Sequence, residues 1–188
     1  MAKRKIKKLK FYGVGRMGYD VRDKEWRTEI TEAIEKLGIF WNPFILEPIQ
    51  LRGLQPKRLP KVTPCGKPIK HWYHLRYFPK NSSEYKRFQK YMSAIIKYDL
   101  GLVKKADIII ARWSDGCASG GGTQGELTYA KLLKKPVYCF NEAKEVLPEW
   151  IEGCCTEIFE NMEEMLKFLF DEYGDLEDMP DLSEELIN

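Results

Sequence analysis

Apolar and polar positions along this chain switch between two periods, and the switching predicts an alternation of strands and helices. Residues 9–14 (LKFYGV) form a short apolar run leading into Gly13, Gly15 and Gly18, and read as a first strand. Over 24–37 the apolar residues fall at Trp26, Ile30, Ala33, Ile34 and Leu37, the spacing of one helical face, and Gly38 stops the helix. Residues 39–46 predict a second strand, which Pro43 keeps out of a sheet interior. A helix is predicted from 84 to 105, capped within 81–83, with an apolar stripe through Phe88, Met92, Ile95 and Leu102. Residues 106–111 are a continuous apolar strand of the kind that a parallel sheet covered on both faces requires. A helix over 123–135, a strand over 136–140, a weaker strand within 154–159 and a helix over 162–170 follow. This order predicts an α/β fold: a three-layer, open, mainly parallel sheet flanked by helices, Rossmann-like and doubly wound. No internal repeat is visible.

One stretch breaks the pattern. Seven of the ten prolines fall between Pro43 and Pro79, so residues 48–80 predict a long loop or insertion and no regular element. Its aromatic end (His71, Trp72, Tyr73, His74, Tyr77, Phe78) favours an ordered lid over disorder. The same stretch carries eight bases and no acid, which suits a phosphorylated or polyanionic partner or else a solvated basic surface. Six of the first ten residues are Lys or Arg, and residues 171–188 hold eight acids and no base. With 188 residues, a single domain over 1–188 is expected, with the insertion at 48–80 and an acidic tail at 171–188. No apolar run is long enough to span a membrane, and the basic start has no apolar core of a secretion signal. Five cysteines without CxxC spacing predict reduced thiols, and a cytoplasmic location follows as the expectation. His71 and His74 lack further ligands in sequence, so no metal and no cofactor are expected.

The candidate chemistry lies where strands end, since ligands of a doubly wound sheet bind beyond the carboxyl ends. The loop after the first strand offers glycine N–H groups and Arg16, a cationic fork for a phosphate. Gly13, Gly15 and Gly18 spell GxGxxG, but no acid closes the second strand apart from Glu47 beside Pro48, and the helix starts late, against dinucleotide binding. Asp99 falls on the apolar stripe of its helix, a costly place for a carboxylate that is neither paired nor facing a polar cavity. Glu126 follows the glycine cluster 120–122, and two readings compete for it. It closes a T-x-x-E capping box with Thr123, or it is one of a pair of carboxylates that work on a glycosidic bond. Asp107 reads as a turn or capping residue, and Trp113 as pocket wall or core.

FYGVGRMG (residues 11–18), YDLGLVKKADIIIA (98–111) and GGGTQGELTYAKLLKKPVY (120–138) together resemble the nucleoside 2-deoxyribosyltransferases and the deoxynucleoside 5′-monophosphate N-glycosidases. The resemblance covers residues 8–37 and 91–170 and leaves the insertion unmatched. It implies that Glu126 is a nucleophile attacking C1′ of the sugar, and that Asp99 assists proton transfer to the departing base. Phe11 stands where the family has a tyrosine that orients the nucleophile, with Tyr12 beside it, and either can face the site. Gly13, Gly15, Arg16 and Ser119 match the phosphate-binding positions of the glycosidases; Gly120, Gly122 and Thr123 complete the loop; Asp115 is nearest to an aspartate of the transferases. The resemblance further implies a nucleoside or nucleotide substrate and a homo-oligomer with shared sites, and Val146 stands where a neighbouring subunit often supplies an asparagine. GGGTxxE also resembles the loop of the cytokinin-activating nucleotide phosphoribohydrolases, an alternative that lacks the proline before the glycines. A third alternative, from the basic aromatic insertion, is a nucleotide- or nucleic-acid-binding module without turnover.

Overall fold

The computed structural model of the protein describes residues 8–17, 21–43 and 59–174. They divide between two compact units, Met1–Ile45 with Leu100–Asn188 and, separately, Leu46–Asp99. The end of the second predicted strand, the first part of the insertion and the acidic tail beyond 174 lie outside the described residues.

The first unit is built on strands β1 (Leu9–Gly15), β2 (Gly38–Trp41), β3 (Ile108–Trp113), β4 (Val137–Asn141) and β5 (Glu157–Phe159). All pairings are parallel and the order is β2-β1-β3-β4-β5, so the expected open parallel sheet is what the chain forms. Pro43 follows β2, and β2 is an edge strand, as a residue without an N–H requires. All six residues of β3 are buried, because helices cover both faces of the sheet.

On one face lie helices α1 (Arg22–Ala33) and α5 (Met162–Tyr173). α5 forms because Met162, Met165, Leu166, Leu169 and Phe170 repeat at helical spacing and all are buried. Asn161 caps it, accepting from Glu164 N at 2.9 Å. Its apolar stripe joins Trp26, Ile30 and Ile34 of α1 and Phe11, Phe40, Ile108, Ile110 and Phe140 of the sheet in one core. Side chains alternate across a strand, so Tyr12, Ile109 and Cys139 face the other way, where α3 (Gly121–Leu132) packs on β1 and β4. The predicted helices over 24–37 and 123–135 are thus shorter at their carboxyl ends and begin two residues earlier. A short helix not expected from the pattern, α4 (Glu149–Glu152), packs against α3.

Helix α2 (Ser83–Lys105) runs through the boundary between the units. Ser82 caps it, accepting from Tyr85 N at 3.1 Å, within the predicted 81–83. The described part of the second unit holds a Val62–Pro68 bridge and a 3-10 helix at Trp72–Tyr77. Trp72 stacks on Phe88 and meets Tyr91 edge-on, with centroids 6.1 and 5.9 Å apart. The aromatic end of the insertion is therefore an ordered cluster on α2, stabilised by about 0.5–1.5 kcal/mol per ring pair beyond area burial.

Candidate active site

The sheet order reverses between β1 and β3, and the crevice at such a switch point is where open α/β sheets take their ligands. Strand alternation decides which residue of the Phe11–Tyr12 pair faces it. Phe11 is wholly buried in the α1/α5 core. Tyr12 projects from the opposite face and donates its hydroxyl to Glu126 Oε1 at 2.6 Å. Gly13 returns to the core face, where a Cβ would run into the Phe40 ring, so its lack of a side chain serves packing.

Glu126 stands on the second turn of α3. The helix begins at Gly121 with Gly120 as N-cap and no side-chain cap, which places Thr123 inside the first turn and nearly buried. The T-x-x-E letters therefore do not occupy capping positions, and Glu126 reaches across to β1. At Gly121 and Gly122 a side chain would meet nothing, so the opening turn of α3 presents its backbone at an uncrowded surface. A helix start of that kind attracts anions through its N–H groups and dipole.

Arg27 of α1 is fully buried. It donates to the carbonyl of Asp23 at 2.5 Å and to that of Gly15, at the end of β1, at 3.2 Å, while its guanidinium carbon lies 4.3 Å from the centre of the Trp26 ring. Burial lowers its pKa to about 10, against the opposing pull of Glu126, Tyr12 and Asp23 in that order. Beside it runs an alternating chain of charges: Arg16–Asp23 at 3.8 Å, Asp23–Arg112 at 3.2, Arg112–Glu142 at 2.8, Glu142–Arg22 at 3.4 and Arg22–Glu29 at 2.5 Å. This chain clamps the first turn of α1 to β3 and to the loop after β4.

The turn between β3 and α3 is tied down from within. Gly116 takes φ +87°, a conformation that favours glycine, and Cys117 N bonds back to Ser114 O at 3.0 Å. The Arg16 guanidinium lies across this turn, donating to Asp115 O at 3.1 Å. Asp115 Oδ1 in turn accepts from Lys144 N at 3.1 Å. Between this turn and the 142–148 loop is a cavity of about 240 Å³ whose wall includes Trp113, Ser114 and Lys144. Trp113 is thus both core (3% exposed) and wall. Asp107 is the turn residue expected, its Oδ2 accepting from Lys10 N at 3.0 Å.

The structure thus joins Tyr12 to Glu126 and, separately, Arg16 to Asp115. The Ser119 side chain lies outside the described residues. Asp99 belongs to the second unit, on α2, where burial alone raises its pKa to about 6. The native state thus holds this proton more tightly than the unfolded chain, whose carboxyl titrates near 3.8. Stability should accordingly fall as pH rises from about 4 to 7, by at most about 3 kcal/mol. Urea unfolding across that range should flatten by that difference in Asp99→Asn, and equal slopes for the two proteins would remove Asp99 as the cause.

Sequence reasoning missed Arg27, Asp23 and Arg112. The signal was the one that had singled out Asp99: position 27 lies on the stripe of Trp26, Ile30 and Ile34, and Arg112 interrupts an apolar strand.

Set beside solved structures, the chain is similar to a 2-deoxyribosyltransferase from the psychrotolerant bacterium Bacillus psychrosaccharolyticus (19% identity, TM-score 0.54, 88% of this chain and 96% of that one). It is also similar to DNA processing protein A from Helicobacter pylori, described for its single-stranded DNA binding mode (13% identity, TM-score 0.50, 88% and 82%). At these identities the likeness establishes the fold: the three-layer α/β class of the deoxyribosyltransferase. No protein-family model and no curated protein matches the sequence. No helix among the described residues is long and apolar enough to cross a membrane.

Proposed function

We propose that this chain is an enzyme that breaks the N-glycosidic bond of a 2′-deoxynucleoside or its 5′-monophosphate through a covalent glycosyl ester on Glu126. The observation that carries the reading is the Tyr12–Glu126 hydrogen bond at the sheet's switch point. The resemblance of the motifs and the fold shared with a 2-deoxyribosyltransferase support it. In this reading a Glu126 carboxylate oxygen attacks C1′, the C–N bond breaks, and its electron pair leaves with the base. Asp99, held protonated to higher pH than an ordinary carboxyl, is the proposed acid that delivers a proton to that base. Attack at C1′ by a second base or by water then frees Glu126, and the acceptor decides between transfer and hydrolysis. Arg16 and the backbone of Ser119–Gly122 at the start of α3 are the proposed seat of a 5′-phosphate, with Gly15, Asp115 and Thr123 around it. A homo-oligomer belongs to the same proposal, and light scattering reads it directly.

The test is incubation of the protein with each deoxynucleoside and deoxynucleoside monophosphate, with free base as readout. No release from any of them, together with salt-dependent oligonucleotide binding, would replace this reading by that of a binding module. Tyr12→Phe should keep the fold, since the ring remains buried, and lose roughly 10–100-fold in turnover, the worth of one hydrogen bond to a charged group. An unchanged rate would show that the hydroxyl orients nothing.

A further inference from the structure

We propose that the row of rings His71, Tyr73, His74 and Tyr77, flanked by Lys70 and Arg76, is a docking surface for single-stranded nucleic acid, with bases stacked on the rings and phosphates held by the cations. The surface shares no residue with the Glu126 site and stands whether or not Glu126 captures a sugar.

The row follows from the period of the helix that carries it. A 3-10 helix has three residues per turn, so side chains at i and i+3 lie one above the other. In the helix Trp72–Tyr77 this puts Trp72 and Leu75 on one edge, where Leu75 is wholly buried and Trp72 stacks on Phe88 of α2. His71, the N-cap, then shares a second edge with His74 and Tyr77, and Tyr73 shares a third with Arg76. One edge anchors the helix. On the other two, Arg76 and Tyr77 are exposed and His71, Tyr73 and His74 are partly so.

The ring contacts are continuous. His71 stacks on Tyr73 with centroids 5.2 Å apart and planes 12° from parallel, Tyr73 meets His74 at 4.7 Å, and His74 meets Tyr77 at 6.0 Å. Both ends of the row are held. Lys70 N donates to His74 Nδ1 at 3.3 Å, and Arg76 Nη2 donates to the Tyr77 hydroxyl at 2.9 Å. The Arg76 guanidinium carbon lies 5.0 Å from the centre of the Tyr77 ring, which is 51% exposed and so offers a fixed, half-open plate. Desolvation, and then His74 and Lys70, push the His71 pKa below its ordinary 6.5, so its imidazole presents a neutral face at pH 7.

The charge around the row has one sign. Lys61, Lys67, Lys70, Arg76 and Lys80 are all exposed, and residues 59–80 contain no acid to neutralise them. A polyanion complements such a field, and the rings narrow the choice among polyanions. Unpaired bases stack on aromatic faces, whereas a duplex keeps its bases inside. A membrane surface is bound through an apolar face of Leu, Phe or Trp beneath the cations, and a row of His and Tyr has polar edges throughout. Four rings in contact extend beyond what one base covers, so the ligand that fits is a strand.

The experiment is fluorescence anisotropy of the full chain at several salt concentrations with labelled single-stranded DNA, the same sequence as RNA, and the DNA duplex, beside co-sedimentation with phosphatidylcholine–phosphatidylserine vesicles. Single strands should bind more tightly than the duplex or the vesicles, and the tighter of DNA and RNA identifies the source of the strand. Tyr77→Ala should weaken single-strand binding about fivefold or more, the loss of one stacked base, and leave its salt dependence unchanged. Lys70→Gln should reduce the slope of log affinity against log salt by about 0.7, the loss of one phosphate contact. Absence of strand binding, tighter binding of duplex or vesicles, or an unchanged affinity in folded Tyr77→Ala would each overturn the proposal. An unchanged slope in Lys70→Gln would overturn it equally, and decides alone should circular dichroism show Tyr77→Ala unfolded.

Discussion

Glu126→Gln is expected to abolish base release, lowering turnover by at least about 10⁴-fold with the fold intact. The amide fills the same volume on α3 and can still accept from the Tyr12 hydroxyl, so the first turns of the helix need not move. What it cannot do is attack C1′ or compensate an oxocarbenium-like transition state with a full negative charge. A loss of 10⁴ corresponds to about 5.5 kcal/mol of transition-state stabilisation, far more than one hydrogen bond supplies, so the size of the loss separates a nucleophile from an orienting group. Initial rates of base release from the best substrate, with circular dichroism of both proteins, check it. A loss near that of Tyr12→Phe would demote Glu126 to a binding residue.

The second large effect is on stability. Asp23→Ala should cost about 3–5 kcal/mol, because it leaves the buried Arg112 guanidinium without one of its two carboxylates. The side chains of this pair are 5% and 8% exposed, and the N–O separation of 3.2 Å is within hydrogen-bonding range. Glu142 still faces Arg112 at 2.8 Å, which keeps the cost towards the lower end of that range. The control lies at the far end of the same charge chain. Glu29 and Arg22 each have about a third of the side chain exposed, so Glu29→Ala should cost less than about 1 kcal/mol. Urea unfolding at pH 7 measures both, and a cost for Asp23→Ala no greater than for Glu29→Ala would show that the chain of charges does not hold α1 to β3.

These expectations also mark what the sequence made legible. The sheet and its flanking helices were readable because burial on both faces leaves an unbroken apolar run such as Ile108–Ala111, and burial on one face leaves a stripe such as Met162 to Phe170. The edge position of β2 followed from a single proline. Element ends were less readable, since Gly121 and Gly122 carry no helix preference and yet begin α3. The choice between Phe11 and Tyr12 was out of reach for a different reason. Both suit a strand, and only the register of β1 against β3, Phe11 opposite Ile108 and Tyr12 opposite Ile109, assigns each to a face. The capping-box letters misled because a cap is defined by where the helix starts, which Gly120 decides. The charged residues at the carboxyl edge stayed hidden because each pairs with a residue far away in sequence, Asp23 with Arg112 and Arg112 with Glu142, and no local pattern records such a pair.

The proposed mechanism turns on one step, the capture of the sugar by Glu126. It is tested most directly by quenching the protein with acid during turnover of a deoxynucleoside or its monophosphate, digesting it, and weighing the peptide that spans residue 126. A deoxyribosyl adduct is expected on that peptide, formed no more slowly than base is released and absent in Glu126→Gln. Base release that proceeds with no adduct, at a rate that Glu126→Gln leaves unchanged, would contradict it.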